Sequence, residues 1–310
     1  MKSPLFRIEM KTNSAPSRPS LISNLAACTA AFSLAFPIAA QADEGKLNRH
    51  AATDAIAEVI AGNTAKLQKI AVIDHSRLAE KEGVQMPSSV LTVYSEPTVA
   101  VALMKENPRV GLDLPQKILV FEEDGKARVA APQASFLAAR HGITDQAALR
   151  HYQESIDLGL RNIGAGSIDP VTDEGVGLNF GINELVSDFN YADTIKRLKK
   201  DVMKQGDTVW FGDIDFRSAA AESGVDLPRS TLMLFGGPKP GGVAMAKFPK
   251  LGLDAFCQKL LVYEDDEGKV RVIFNDIVKM AELHYGKSAK PHEVINGRLT
   301  TTFEGATKRQ

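Results

Sequence analysis

Apolar and polar positions follow the same order twice along this chain. "QKILVFEEDGKARV" (residues 116–129) and "QKLLVYEDDEGKVRV" (residues 258–272) each set two β-rich runs around an acidic turn with glycine. That pattern predicts a β-hairpin, and Asp124-Gly125 is a strong turn signal. In "ADTIKRLKKDVMKQG", Ile195, Leu198 and Val202 share one helical stripe, with Lys196, Arg197, Lys199, Lys200 and Lys204 elsewhere. An amphipathic helix follows from that spacing, with Asn190 as N-cap and Gly206 as stop. "AATDAIAEVIAGN" holds the same place in the first half. Each half then gives a strand ("LQKIAVID", "TVWFGDID"), a short Ala-rich helix, a second strand ("SSVLTVY", "STLMLF"), a Pro-punctuated helical segment, the hairpin and a closing helix. Mixed hairpins and helices predict an α+β fold, with helices covering an antiparallel sheet.

The correspondence holds residue by residue. Gly83 matches Gly224, Pro97 matches Pro238, and Gly111-Leu112-Asp113 matches Gly252-Leu253-Asp254, all 141 apart. The offset becomes 142 at Gln116-Lys117 against Gln258-Lys259, and 143 from the turn to His141 and His284. Length changes at turns with intact apolar runs mark a tandem duplication. The expected division is a first repeat at 43–143, a helical and Gly-rich linker at 144–180, a second repeat at 181–286 and a polar tail at 287–310. Within the linker a helix is expected at 145–160, and "RLTTTFEG" in the tail is read as one strand. The two copies are expected to pack as a pseudo-dimer.

Composition adds compartment more than chemistry. Lys+Arg is 37 and Asp+Glu 38, a net charge of −1. This gives no electrostatic case for nucleic acid, whose binding needs an excess of cations. Lys2, Arg7, Lys11 and Arg18 form a basic leader before the uncharged stretch 21–42, which ends in Ala40-Gln41-Ala42. These features predict a secretory signal peptide over residues 1–42, cleaved after Ala42, and a periplasmic or secreted protein without stable membrane insertion. A membrane anchor and lipidation at Cys28 are the alternatives. Removal of the leader would leave Cys257 as the one cysteine, so no internal disulfide is expected.

The set of motifs resembles the family named domain of unknown function 302. The second copy carries it in Ile214-Asp215, Ala220, Gly224, "TLMLFGGP", Gly241-Gly242, Met245, "LGLDAF", "LLVYEDDEG", Asn275 and His284. The first carries it in Ile73-Asp74-His75, Gly83, Pro97, "VGLDLP", "ILVFEEDG" and Arg140-His141-Gly142. The resemblance implies a TATA-binding-protein-like α+β domain and no established activity. The copies depart from the pattern differently. The Asp-His pair is Asp74-His75 in the first but Asp215-Phe216 in the second. The Phe-Gly-x-Pro loop is Phe235-Gly236-Gly237-Pro238 in the second but Tyr94-Ser95-Glu96-Pro97 in the first.

Candidate chemistry is sparse. "GGPKPGG" (residues 236–242) runs into a helical pattern, where backbone N–H groups and Lys239 would cradle an anion. A glycine turn and a proline helix start are the alternative. His141 and His284 end matching helices and read as helix caps, metal ligands or proton shuttles. No HxxxH spacing supports a metal. Asp113 and Asp254 read as turn carboxylates or as acid/base groups, and Cys257 as a buried small hydrophobe or a reactive thiol. No cofactor fingerprint or catalytic motif is present. The expected function is a non-enzymatic module binding a small ligand or anion. Its candidate site is Gly236, Gly237, Lys239, Gly241 and Gly242, together with Asp215, Asp254 and His284. The alternatives are an enzyme using an Asp/His constellation and a protein-interaction module.

Overall fold

The computed structural model describes residues 38–254, 256 and 258–309, with side chains from residue 49 onward. Cys28, Cys257 and most of the expected signal peptide lie outside the described residues.

Each copy builds one five-stranded sheet. The first contains α1 (Ile38–Asn63), β1 (Gln68–Asp74), α2 (His75–Lys81), β2 (Ser89–Ser95), α3 (Pro97–Glu106), a 3₁₀ turn (Pro108–Leu112), β3 (Gln116–Glu123), β4 (Lys126–Pro132), α4 (Ala134–His141), α5 (Gln146–Gly159) and β5 (Ile168–Val171). The second contains β6 (Ile182–Val186), α6 (Tyr191–Met203), β7 (Val209–Asp215), α7 (Phe216–Glu222), β8 (Ser230–Gly236), α8 (Pro238–Met245), a 3₁₀ turn (Pro249–Leu253), β9 (Gln258–Glu264), β10 (Val270–Asn275), α9 (Ile277–Tyr285) and α10 (Lys290–Thr307). The matching stretches 116–129 and 258–272 fall on equivalent hairpins, β3–β4 and β9–β10. At the first turn Asp124 and Gly125 both take positive φ, +51° and +69°, as a tight two-residue hairpin requires.

The sheets run β1-β2-β3-β4-β5 and β6-β10-β9-β8-β7. Four strands of each sheet correspond between the copies. The fifth does not. In the first sheet it follows the other four in the chain and pairs parallel to β4; in the second it precedes them, at the start of the expected second repeat, and pairs antiparallel to β10. Both fifth strands lie in or beside the segment expected to be a linker.

Strand alternation explains the layers. On β3, Ile118 faces the helices of its own copy: a Cβ added to Gly159 of α5 would lie 2.5 Å from Ile118 Cδ1. The opposite face, with Lys117 and Leu119, turns toward the other copy, where Leu119 meets Gly252. The relation is reciprocal, because Leu261 of β9 meets Gly111. Both glycines sit at the seam because a side chain there would collide with the other copy. Fully burying one Leu-sized side chain contributes about 1.5–3 kcal/mol, and Leu119, Leu261, Met104 and Leu253 are all buried. The two copies form a pseudo-dimer held by a shared core.

The helix expected within the linker is α5, whose Tyr152 and Ile156 are buried in the first core, and Tyr94 donates from its hydroxyl to Ser155 O at 3.0 Å. The tail departs from expectation. The tail contains α10 and no strand over "RLTTTFEG". Ile295, Leu299 and Phe303 recur every four residues and are buried, so the helical period outweighed the β propensity of the three threonines. Phe303 packs edge-on against Phe274, ring centroids 4.8 Å apart.

Candidate functional site at the seam between the copies

The expected site residues fall in three places. Asp215 is exposed and caps α7, accepting from Ser218 N at 3.0 Å. The glycine loop packs against the first copy: a Cβ on Gly242 would lie 2.6 Å from Ala79 Cβ of α2. Asp254 and His284 meet each other, His284 Nε2 at 2.7 Å from Asp254 Oδ2, deep between the sheets. Asp215 therefore does not join the other candidates.

The loop also differs from the expected anion cradle. Pro238 and Pro240 have no N–H, and the Gly241 N–H is spent on Gly237 O at 2.8 Å. Lys239 points to solvent. None of its glycines takes positive φ. They are glycines for close approach: Gly236 to Phe211, Gly237 to the Pro240 ring, Gly241 to Phe256 and Gly242 to α2. We expect Gly242→Val, which installs the residue of the equivalent Val101, to cost about 1–3 kcal/mol by overpacking the α2–α8 contact. Denaturant unfolding measures it.

This contact creates a pocket. His75 and Leu78 of α2 line it from the first copy; Phe211, Gly236, Gly237, Pro238, Gly241, Met245 and Phe256 line it from the second, around about 20 Å³ of open space. His75 is buried, with Nε2 3.3 Å from Gly252 O. Because a carbonyl only accepts, Nε2 carries the proton. Burial pushes the imidazole down to about 4, so it is neutral near pH 7. Nδ1 then presents a lone pair, and it has no hydrogen-bond partner among the described residues.

The second constellation lies between the inner faces of β3 and β9. Asp113 and Asp254, repeat equivalents, are 0% and 1% exposed. Asp113 accepts from Arg140 Nη1 at 2.7 Å, His141 Nε2 at 2.7 Å and Lys117 Nζ at 3.1 Å. Lys117 also reaches Asp254 Oδ1 at 3.4 Å. Lys259, its repeat equivalent, reaches Asp113 Oδ1 only at 3.7 Å and makes no hydrogen bond to an oxygen. Neither His141 nor His284 serves as a helix cap; each ring grips the aspartate of its own copy.

Charge explains the difference between the lysines. Burial works against the Asp113 carboxylate, yet Arg140, Lys117 and His141 hold it well below its ordinary value. Burial likewise opposes Asp254, and Lys117 and His284 hold it low. Against burial, the two carboxylates keep Lys117 above the usual lysine value. The two anions are thereby matched by Lys117 and Arg140. Lys259 is the surplus cation, and burial, then Lys117, push it down to about 7. The second copy has Leu283 where the first has Arg140, so the centre is not symmetric. Arg140 instead crosses the seam to Asn275 Oδ1 at 2.8 Å, and Asn275 Nδ2 donates to Asp254 O at 2.8 Å.

Lys117, Lys259, Arg140 and Asn275 are not among the expected site residues; the lysines stand out only as a repeat match, and Arg140 and Asn275 only as residues carrying the family resemblance. The signal available was a lysine at the second position of both "QKILVF" and "QKLLVY", inside otherwise apolar strands. Among the described residues no group of three or more His, Cys, Asp or Glu is placed to hold a metal ion, and no helix is long and apolar enough to cross a membrane.

The Fluoride-specific ion channel FluC 1 of Brucella suis biovar 1 (strain 1330) is 33% identical over 107 residues, 34% of this chain and 41% of that protein. The Fluoride-specific ion channel FluC 1 of Brucella abortus biovar 1 (strain 9-941) is 33% identical over 107 residues, 34% of this chain and 39% of its own length. The chain thus spans about two fifths of these curated relatives. The crystal structure of an uncharacterized conserved DUF302 protein from Bacillus stearothermophilus shares 15% identity at a TM-score of 0.36, covering 41% of this chain and 98% of that one. The family model described as domain of unknown function DUF302 matches residues 48–158 and 183–300. With most of its length so matched, in two regions that hold β1–β4 of the first sheet and the strands of the second, the chain belongs to the DUF302 family and carries two tandem copies of its domain.

Proposed function

We propose that this protein is a binding module for a small, mostly apolar ligand with one N–H or O–H, held where His75 of the first copy meets the glycine loop of the second. One observation carries the reading: the two motif elements that the copies retain separately line the same pocket. At the pseudo-symmetric position the equivalents are Phe216 and Ser95-Glu96-Pro97, with α3 packed on α7 as α8 packs on α2. Each copy has lost what only the degenerate pocket would use. The complementary losses leave one complete pocket built from both copies.

The lining selects the ligand class. Leu78, Phe211, Pro238, Met245 and Phe256 offer apolar surface, and the neutral His75 offers one acceptor. No lining cation and few free N–H groups favour an anion. The test is NMR with methanol, small enough for the open space, with fluoromethane as the isostere lacking the donor, and sodium fluoride as the anionic probe named for the curated relatives. Methanol is expected to bind about tenfold tighter than fluoromethane, the worth of one hydrogen bond of about 1.4 kcal/mol. His75→Phe, which copies the second repeat, should abolish the preference, and fluoride should leave the pocket resonances unmoved. Equal methanol binding by the protein and by folded His75→Phe contradicts the reading.

A further inference from the structure

The paired lysines lie apart from that pocket and are not used by it. We propose that Lys259 is a reactive amine that condenses with a small aldehyde to form a Schiff base between the two sheets. The placement is the first argument. Two lysine head groups share one buried centre with two aspartates, and Lys259 is the one without an oxygen acceptor within hydrogen-bond reach among the described residues. A lysine becomes nucleophilic when it is desolvated beside another cation, because both effects disfavour its ammonium. Lys117 supplies that cation, and it is held charged by Asp113 and Asp254.

Space is the second argument. At the start of β9 Lys259 borders a cavity of about 10 Å³, whose polar side is Asp254, Gln258 and Asn275 and whose apolar walls, Phe274 and Phe303, lie on the helix side of the sheet. Room on the order of one probe sphere holds a single water, so an aldehyde of one or two carbons seats only as the surrounding side chains give way, and no larger substrate fits. The apolar wall suits the alkyl end, and Asn275 and Asp254 stand on the polar side.

Charge balance chooses between the small electrophiles that an amine attacks. Asp113 and Asp254 are already matched by Lys117 and Arg140. Carbamylation by carbon dioxide would add an uncompensated negative charge to this buried centre. Condensation with an aldehyde exchanges a neutral amine for a neutral imine. The Nζ lone pair forms a bond to the carbonyl carbon, and the amine gives a proton to the carbonyl oxygen. The resulting carbinolamine loses its hydroxyl with the second amine proton as water, leaving C=N. Nothing is oxidised or reduced. His284, which holds Asp254 Oδ2 and lines an outer cleft of about 530 Å³, is the group placed to pass protons between Asp254 and solvent.

The experiment treats the full chain with acetaldehyde from pH 6 to pH 9, traps imines with sodium cyanoborohydride, and maps ethylated lysines by peptide mass. Exposed Lys279 and Lys290, held protonated by Glu282 and Glu293, are the internal references. At pH 7 Lys259 is expected to react at least about tenfold faster than either, with a rate that levels off above pH 8 while theirs still climbs toward the ordinary lysine range near 10.4. Without the reductant the mark is lost on gel filtration, as a reversible imine requires. Lys117→Gln removes the neighbouring cation and should slow Lys259 at pH 7 at least fivefold. If that variant does not fold, the wild-type rates decide alone. Lys259 reacting no faster than Lys279 and Lys290, or a pH profile parallel to theirs, overturns the proposal.

Discussion

Arg140→Leu, which gives the first copy the residue the second has at position 283, is expected to destabilise the protein by about 3–5 kcal/mol. Removing one partner from a buried ion pair leaves the other charge uncompensated, and that loss is large. Arg140 is fully buried and makes four bonds: to Asp113, to Asn275 across the seam, and to the carbonyls of Phe180 and Gly181. Its loss takes from Asp113 its guanidinium partner, leaving Lys117 and His141, and removes a donor from Asn275 Oδ1 and from the carbonyls of Phe180 and Gly181, which fix the entry to β6. Urea unfolding followed by far-UV circular dichroism measures the change. A loss under about 1 kcal/mol would mean that Asp113 is satisfied by His141 and Lys117 alone.

Lys259→Met is expected to do the reverse at neutral pH, leaving stability within about 1 kcal/mol of wild type or raising it. The same kind of side chain in the same centre gives the opposite result because Lys259 is the surplus cation. A flexible apolar chain of similar length fills its place without an unmet ammonium. The effect depends on pH in a direction that the depressed lysine fixes. Between about pH 7 and the ordinary lysine value near 10.4, unfolded Lys259 holds a proton that the folded chain has released. The unfolded state then binds more protons, so wild-type stability rises with pH in this window, by at most about 1.4 kcal/mol per unit. From pH 7 to pH 9 wild type should gain about 2 kcal/mol relative to Lys259→Met. On the acid side the slope has the same sign, because there too the unfolded chain binds more protons. Asp113 and Asp254 lie below the unfolded carboxylate value, so their contribution is present above about pH 4 and is lost as pH falls below it.

Local chemistry made much of the fold legible. The Asp124-Gly125 turn, the Asn190 cap and the repeated strands are dictated within a few residues, and they sit where the pattern puts them. The duplication was readable because strands keep their length. What was hidden depends on the other copy. Lys117 and Lys259 look like ordinary alternating polar positions until the second sheet covers them, about 140 residues away in the chain. The same holds for Asp254 and His284, which the pattern joined to the glycine loop although neither lines the pocket that the loop forms with His75. Pro238 and Pro240 were visible from the start and already removed two donors from the supposed anion cradle. The helix α10 was masked by its three threonines, since β-branched residues favour strands only where neighbours allow it.

The seam is where residues of one copy stand close enough to set the protonation of residues of the other, Lys117 beside Asp254 and Lys259 beside Asp113. The most direct test is an NMR titration of the Lys259 side chain, with its Cε carbon observed in ¹³C-lysine-labelled protein and assigned by loss of the signal in Lys259→Met. The account predicts a midpoint near 7 that moves up when Lys117 is replaced by Gln. A midpoint near 10.4, unchanged by that replacement, would contradict it.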